Sequence, residues 1–549
     1  MENRRVLMIA LIVLVCIPLQ VTAYSNTNAG GHPSINRYAV DYFEKKILPY
    51  DSLLKNTSIR GEASYGWAWD ETDGKKNTGP TDSINLPKEG VLQDWIKDGG
   101  YSADEPEYTM ALVHFYDPTN VNEPWLTDPW LIMNKYTEFL ARAMDPSLVV
   151  PDLSAVHWAF DGGAGAYASR GAYFIQDYSW DDGLQYYKDA LADTSRENEN
   201  YGQAWRAVGE TMHLVSDMTI PAHVRNDGHP TLNEDPYENS VDAWEVTHYK
   251  NGPFLDLNYN QGTLRDLMIR TATVVNKNFY SADTTPTGYQ VTGSDSFYTR
   301  GRYSQPSLEG LTADADGYYY YPPGRKLARG VLYSFEPISP PKYTYTGTNE
   351  PIVLMYRYHL DYEVLKDQRR VLIPTAIRAS AEVLDRFLPR FKANIEVEKY
   401  VPEDPSDEQY IVYTTLKQVH TEPDAWSGYD LTVRNGAYLV EITPGGTQTE
   451  EVLSLGSYLY TPEDPDFNYW YDLFSFKPGT RIYMAYDLGG YVIKSNEVEI
   501  PTVTTPIAIP DEDWDRDPKE CPSNWYVDGI CYNPSDTIRE HSGESGNFD

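Results

Sequence analysis

Apolar residues recur at the spacing of an amphipathic α-helix through much of the first two thirds of the chain. The clearest stretch runs from Tyr362 to Phe387, where leucine, isoleucine, valine and alanine positions share one face. The same period predicts helices from Ser34 to Ile47, from Leu92 to the glycine pair Gly99-Gly100, and at Leu131–Met144, Asp181–Ala192, Gln203–Met218, Tyr237–His248 and Leu264–Phe279. We therefore expect an all-α domain over residues 24–393.

A different pattern begins near Asn394, where short runs of alternating apolar and polar residues are separated by turn residues. Asn435-Gly436 lies between two such runs and predicts a tight hairpin. The predicted strands are Gln409–Thr415, Tyr429–Arg434, Ala437–Thr443, Glu451–Tyr460, Tyr469–Phe476, Arg481–Tyr486 and Tyr491–Ile500. This number of short strands predicts an all-β sandwich domain of the immunoglobulin-like type over residues 394–505.

Two segments follow neither period. Residues 281–350 are rich in Thr, Gly, Pro, Ser and Tyr, which predicts an irregular insert in the helical domain, where substrate loops often lie. Residues 506–549 are acidic and polar, a composition typical of disorder. Cys521 and Cys531 lie in this tail, and the sequence leaves open whether they are paired.

The first 23 residues have the pattern of a secretory signal peptide. Arg4 and Arg5 precede the apolar run Leu7–Leu19, and Val21-Thr22-Ala23 is a small-residue cleavage site. Cleavage after Ala23 would make Tyr24 the first residue of a secreted protein, with an uncleaved membrane anchor as the alternative.

The net charge of −36, from 45 basic and 81 acidic residues, limits the possible partners. A strongly acidic surface repels phosphate backbones, so we expect no binding to duplex nucleic acid. The charge leaves open a local metal site that acts on a phosphate, because bound cations dominate the field around them.

The segment from Glu210 to Glu238 concentrates residues that bind metals. His213 and Asp217 are four apart and therefore share one face of the predicted helix. Pro221 ends that helix, and His223 follows, with His229 and Glu238 further along. Imidazole nitrogens and a carboxylate converging in this way suit zinc. The alternative is that each histidine is a separate core or surface residue.

Several blocks of the chain resemble the zinc-dependent phospholipase C family, which shares its all-α fold with the single-strand-specific nucleases. The blocks occur in the order of that family and are specific only when taken together. They are Tyr24 with His32, Ser102-Ala103-Asp104, His114-Phe115-Tyr116-Asp117-Pro118, His213-x3-Asp217-x5-His223, Tyr237-Glu238-Asn239 and the helix Leu365–Phe387.

The resemblance implies three zinc ions in one cleft. By position, Asp104, His114, His213 and Asp217 would hold the first ion. Asp217 would bridge to a second ion that also binds His32 and the backbone amine and carbonyl of Tyr24. His223 and Glu238 would hold the third.

The chain departs from the family pattern at two of these positions. Its first mature residue would be tyrosine where the family has tryptophan, a change that leaves the backbone ligands in place. Glu234 occupies the position of a family histidine four residues before Glu238. We expect His229 to replace that histidine, with Glu234 and Asp235 as the alternatives.

The activity that the resemblance implies is hydrolysis of a phosphodiester by an activated water, with Asp104 as a ligand and general base. We expect a phospholipid substrate, with the β-sandwich contacting a membrane or cell surface. One alternative is a nuclease that uses the same metals on single strands. The other is a cell-surface binding protein with a structural or degenerate metal site.

Overall fold

The computed structural model describes most of the helical region and parts of the β-rich region. The described residues are 30–63, 86–104, 113–127, 153–160, 176–192, 197–228, 235–291, 294–298, 303–321, 324–335, 353–400, 409–419, 437–452, 467–501, 526–527 and 530–531. The predicted signal peptide, the predicted helix Leu131–Met144, the predicted strand Tyr429–Arg434 and the predicted hairpin at Asn435-Gly436 lie outside these residues.

The described residues form two compact units. The first contains the described chain up to Arg390 together with Asp487–Val492, and the second contains Phe391–Val419 and the described parts of residues 430–486 and 493–549. The chain therefore combines a helical unit with an antiparallel β-rich unit. Within the described part of the chain, no helix has both the length and the apolar character needed to cross a membrane.

The helices of the first unit follow the predicted period closely. They are α1 Gly31–Lys46, α2 Leu92–Ser102, α3 Ala155–Phe160, α4 Trp180–Ala192, α5 Glu197–Asp217, α6 Pro221–Val224, α7 Ala243–Tyr249, α8 Leu264–Asn278 and α9 Tyr362–Phe387. Short 3₁₀ turns lie at Glu238–Ser240 and Ala282–Thr284. The prediction for α9 is confirmed at both ends, and Asp361 caps its first turn by accepting from Val364 N.

Helix α5 lies in the middle of this unit, and α1, α2, α3, α4 and α9 pack against it. Its predicted apolar residues Trp205, Val208, Met212 and Val215 are all buried. Since Gly209 has no side chain, α5 can approach α2 closely, and a Cβ built there would lie 2.2 Å from Ile96 O. This close crossing brings the end of α2 alongside the end of α5.

The prediction of an irregular insert at residues 281–350 is wrong for much of that segment. Five strands form one antiparallel sheet in the order β5-β4-β8-β7-β6. They are β4 Thr287–Val291, β5 Ser294–Tyr298, β6 Tyr318–Tyr321, β7 Arg325–Phe335 and β8 Val353–His359. Tyrosine and threonine favour strands, and the sheet covers a small core that includes Tyr280, Leu308 and Tyr358. The first unit is therefore not all-α as expected.

Three further strands of the first unit lie before residue 100. Strand β1 is Ser52–Leu54, and β2, Ile59–Ala63, pairs with β3, Leu86–Gly90. Trp95 of α2 donates its indole N–H to Ile59 O at 3.0 Å. This bond ties the β2–β3 pair to the helix that leads to Asp104.

The second unit is built from antiparallel strands. One sheet has the order β15-β14-β11-β12, with β16 also paired with β14, and another has the order β13-β10-β9. The bounds are β9 Arg390–Tyr400, β10 Gln409–Val419, β11 Ala437–Ile442, β12 Gln448–Val452, β13 Phe467–Phe474, β14 Arg481–Asp487, β15 Tyr491–Lys494 and β16 Val498–Glu499. In the tail expected to be disordered, β17 Tyr526–Val527 pairs with β18 Ile530–Cys531.

Candidate metal centre

Seven of the predicted ligands lie in the described chain and converge on the end of α5. His213 and Asp217 lie on the last turns of α5, and Asp104 follows α2 after two residues. The others are His32 in the first turn of α1, His114 in the 113–127 loop, His223 on α6 and Glu238 at the start of a 3₁₀ turn. All seven side chains are buried. Tyr24, His229 and Glu234 lie outside the described residues.

Four ligand atoms from these residues surround a common point. His114 Nδ1 lies 3.3 Å from Asp104 Oδ1 and 3.3 Å from Asp217 Oδ2. His213 Nε2 lies 3.5 Å from the same two oxygens. Zinc ligands about 2.0–2.1 Å from a tetrahedral centre are about 3.3–3.4 Å from one another. These four separations therefore match the spacing of neighbouring ligand atoms around one zinc ion.

The hydrogen bonds of the histidine rings define which nitrogen is available to a metal. His213 Nδ1 lies 2.9 Å from Gly100 O, and His114 Nε2 lies 3.3 Å from Ala103 O. A carbonyl oxygen only accepts, so each of these nitrogens carries the hydrogen. The remaining nitrogens, His213 Nε2 and His114 Nδ1, are therefore lone-pair donors in the neutral rings, and both face the carboxylates.

The buried atoms at the centre of the group fit a bound cation. His213 Nε2, His114 Nδ1 and both carboxylate oxygens of Asp217 form no hydrogen bond within the described part of the chain. A buried carboxylate without hydrogen bonds is unfavourable unless a cation lies beside it. These residues therefore fit a metal. Two sets of three have ligand atoms close enough to hold an ion, namely Asp104 with His114 and His213, and His32 with His213 and Asp217.

The second oxygen of Asp217 extends the centre beyond the first group. Asp217 Oδ1 lies 3.2 Å from His32 Nε2 and 3.4 Å from His223 Nδ1. The other nitrogen of His223, Nε2, lies 3.5 Å from Glu238 Oε1. Asp217 therefore faces two ligand groups at once, which is the geometry that a bridging carboxylate requires.

Asp235 shapes the turn that carries Glu238. Its Oδ1 accepts from Tyr237 N and from Glu238 N, at 3.0 Å in each case. This supports a role for Asp235 in holding the turn, while the alternatives His229 and Glu234 lie outside the described residues.

The histidines of the centre differ in the direction in which their surroundings shift the pKa. Burial lowers the pKa of His114 to about 4 and that of His213 well below its usual value. Burial has the same effect on His223, but the carboxylates of Asp217 and Glu238 outweigh it and raise the pKa of His223 to about 10. Burial would raise the pKa of Asp217, yet four nearby imidazoles lower it well below its usual range. Asp217 therefore stays ionised, as a metal ligand must.

A buried polar cluster beside the centre was not predicted from the sequence. Ser102 Oγ donates to Glu210 Oε1 at 2.7 Å, and Arg206 Nε lies 3.4 Å from that oxygen. Burial raises the pKa of Glu210 to about 7. The four-residue spacing of Arg206 and Glu210 was a sequence signal for this pair, although it does not show that the pair is buried.

Arg225 was also missed, and it fixes the chain after His223. The residue is 1% exposed, so its charge depends on the partners that surround it. Its Nε donates to Thr284 Oγ1 at 2.6 Å, Nη1 donates to Gln305 O at 2.8 Å, and the guanidinium lies 4.4 Å from the centre of the Tyr303 ring. These contacts anchor the end of α6 to residues that precede and follow strands of the inserted sheet.

Comparison with known proteins gives little independent support. No protein-family model matches the chain, and no curated protein matches it in sequence. Among solved structures, the alpha toxin from Clostridium absonum aligns with 87% of this chain and 98% of its own, at 11% sequence identity and a TM-score of 0.26. A TM-score this low does not establish a shared fold, so the function has to be argued from the site itself.

Proposed function

We propose that this chain is a secreted zinc-dependent phosphodiester hydrolase, most similar in its chemistry to phospholipase C. The observation that carries the proposal is the close spacing of ligand atoms from Asp104, His114, His213 and Asp217, with both imidazoles in the tautomer that suits a metal. The order of the sequence blocks adds the substrate class, since the family that they resemble acts on phosphodiesters.

Zinc is the metal that this set of donors favours. Two neutral imidazoles and two carboxylates provide the mixed nitrogen and oxygen ligands that zinc takes, whereas magnesium and calcium prefer oxygen ligands alone. We propose three ions in all. The first lies among the four atoms above, the second beside His32 and Asp217 with the amine of Tyr24, and the third between His223 and Glu238, with His229 completing its ligands.

Zinc, when bound, would lower the pKa of a water molecule towards neutrality and offset the negative charge of the phosphate. The protein's own contribution is to hold its ligands in place before substrate arrives. Asp217 remains ionised among the histidines and faces two ligand groups. Asp104 supplies one carboxylate oxygen to the first group and is the proposed general base.

A phospholipid is the favoured substrate because of the charge of the chain. The net charge of −36 opposes the approach of a polyanion, whereas a phospholipid presents a single phosphodiester at a surface. The β-rich unit is the proposed contact with a membrane or cell surface. A nuclease with the same metals would instead cleave single strands, and the experiment below separates the two activities.

The test starts with zinc per chain, measured by elemental analysis of full-length mature protein that begins at Tyr24. We expect about three zinc ions, and hydrolysis of phosphatidylcholine vesicles that stops with chelator and returns with added zinc. Cleavage of single-stranded DNA in preference to the vesicles would replace the phospholipase assignment with the nuclease one. Folded protein without zinc would refute the metal centre altogether and favour a binding protein.

A further inference from the structure

Ser216 lies in the last turn of α5, immediately before Asp217, and is completely buried. Its hydroxyl oxygen is 2.8 Å from His32 Nδ1 and 2.8 Å from the backbone oxygen of His213. One small hydroxyl therefore contacts two of the segments that supply the proposed ligands, although 184 residues separate it from His32.

The direction of both hydrogen bonds follows from their chemistry. A serine hydroxyl has one hydrogen, and the His213 carbonyl oxygen can only accept it. Towards His32 the Ser216 oxygen must then act as the acceptor, so the hydrogen lies on His32 Nδ1. The opposite nitrogen, Nε2, is left with its lone pair and faces Asp217 Oδ1 at 3.2 Å.

We propose that Ser216 is a positioning residue that fixes the tautomer and ring orientation of His32 for metal binding. The inference rests on the proposed metal centre and adds a residue to which the sequence resemblance gives no role. Partners of this kind hold ligating histidines in place, and their loss typically lowers metal affinity by about 10- to 100-fold.

His32, His114 and His213 each have a neutral partner at the ring nitrogen that faces away from the carboxylates, and His32 differs from the other two in the kind of group that provides it. The equivalent partners of His213 and His114 are the backbone oxygens of Gly100 and Ala103, which no side-chain substitution removes. His32 relies on a side chain. The ring is also stacked on His213, with centroids 3.6 Å apart and planes at 15°, and stacking of this kind does not distinguish Nδ1 from Nε2.

The role of Ser216 therefore predicts a selective defect. In Ser216→Ala, the buried Nδ1–H of His32 loses its acceptor. The flipped ring orientation and the other tautomer then become close in free energy to the orientation and tautomer that bind the metal. Zinc beside His32 and Asp217 should bind about 10- to 100-fold more weakly. Zinc among Asp104, His114, His213 and Asp217 should keep its affinity, because His32 is not part of that group.

Thr219→Val is the matched control. Thr219 Oγ1 donates to Ser216 O at 2.7 Å, so this variant also removes a buried hydroxyl from the same turn. The Thr219 hydroxyl bonds to the backbone rather than to a ligand ring. Ser216→Thr keeps the hydroxyl and should restore zinc affinity. Thermal melting with excess zinc shows whether each variant is folded.

The measurement is zinc remaining per chain in full-length protein that begins at Tyr24, against a series of chelator concentrations. We expect Ser216→Ala to release one zinc at a lower chelator concentration than the wild type, with Thr219→Val unchanged. Cobalt-substituted protein gives a second readout, because loss of a histidine ligand changes its visible spectrum. Equal zinc retention in Ser216→Ala and wild type would overturn the inference, as would equal weakening in Ser216→Ala and Thr219→Val. Wild-type protein that binds no zinc would refute the proposed function itself.

Discussion

A neutral histidine binds a metal through the ring nitrogen that carries no hydrogen. When the histidine is buried, the hydrogen-bond partner of the other nitrogen decides which one that is. At this centre the neighbours are Gly100 O, Ala103 O and the Ser216 hydroxyl, and each leaves the metal-facing nitrogen free of its hydrogen. The sequence predicted the candidate ligand residues, because histidine and aspartate at helical spacing are recognisable. It did not identify the groups that orient them, since two of those are backbone atoms and the third is an ordinary serine.

At the residue scale, Asp217→Asn tests the bridging role. Asparagine has the same size but provides one oxygen and no charge, so it cannot serve two ligand groups as a carboxylate does. We expect turnover to fall by about 100-fold or more and zinc per chain to decrease. Steady-state kinetics and elemental analysis measure the two effects.

Asp117→Asn is the control for that variant. Asp117 is also buried but bonds to Thr119 and Tyr303, outside the histidine group. The zinc content of Asp117→Asn should match that of the wild type. A folded Asp217→Asn protein with normal zinc and normal turnover would contradict the bridging role.

The sequence predicted helix α9 well and the inserted sheet poorly. Helix α9 was predicted at both ends because its apolar face repeats over 26 residues. The inserted sheet was missed because its strands are short, rich in tyrosine and separated by glycine, so the local pattern looked irregular. Its strands are stable as a sheet because they pair with one another, and pairing between β4 and β8 is not visible in either strand alone.

The crossing of α2 and α5 gives a prediction at the element scale. Gly209→Ala would place a methyl group 2.2 Å from Ile96 O and 2.9 Å from Gly99 Cα, so the helices must separate. We expect the free energy of unfolding to fall by about 1–3 kcal/mol. Zinc should also be lost, because Gly100 O and Asp104 would move away from His213.

Gly183→Ala is the comparison for that effect. Its added Cβ would lie 2.8 Å from Ala207 Cβ, which crowds α4 against α5 without touching α2. Denaturant unfolding should show a loss of stability in both variants, and elemental analysis should show zinc loss in Gly209→Ala alone. Zinc loss of the same size in both would mean that the metal depends on general stability rather than on this crossing.

At the scale of the whole molecule, the first unit is not continuous in sequence. Asp487–Val492 belongs to it, although the strands on either side are part of the β-rich region. Tyr187 Oη donates to Leu488 O at 2.8 Å, and Trp205 Nε1 donates to Gly489 O at 2.8 Å. Gly489 has a φ of +71° and lies against the ring of Tyr201, where a Cβ would come within 2.5 Å. A sequence boundary near residue 394 therefore does not separate the two units completely.

A chain truncated after Arg390 should be less stable than the helical unit of the full-length protein. It loses the hydrogen bonds to Leu488 O and Gly489 O and a third from Lys55 N to Gly490 O, each of about 1 kcal/mol, in addition to the packing around Gly489. Thermal unfolding followed by helical circular dichroism measures the difference. Tyr187→Phe in the full-length chain removes one of these three bonds and should reproduce about a third of that hydrogen-bond loss. A truncated chain that melts at the same temperature would show that Asp487–Val492 contributes no stability.

The sequence by itself determined the helical periods and placed His213, Asp217 and His223 in one short segment. Both results depend on residues that are near neighbours along the chain, where spacing alone defines which side chains share a face. The tertiary structure decided how His32 and Asp104 reach that segment, which ring nitrogen each histidine presents, and that the insert forms a sheet. Those outcomes depend on contacts across long separations, such as the 113 residues between Gly100 and His213 and the 184 between His32 and Ser216. Their donors and acceptors are mostly backbone atoms, which are chemically the same at every position, so only the folded chain can select among them.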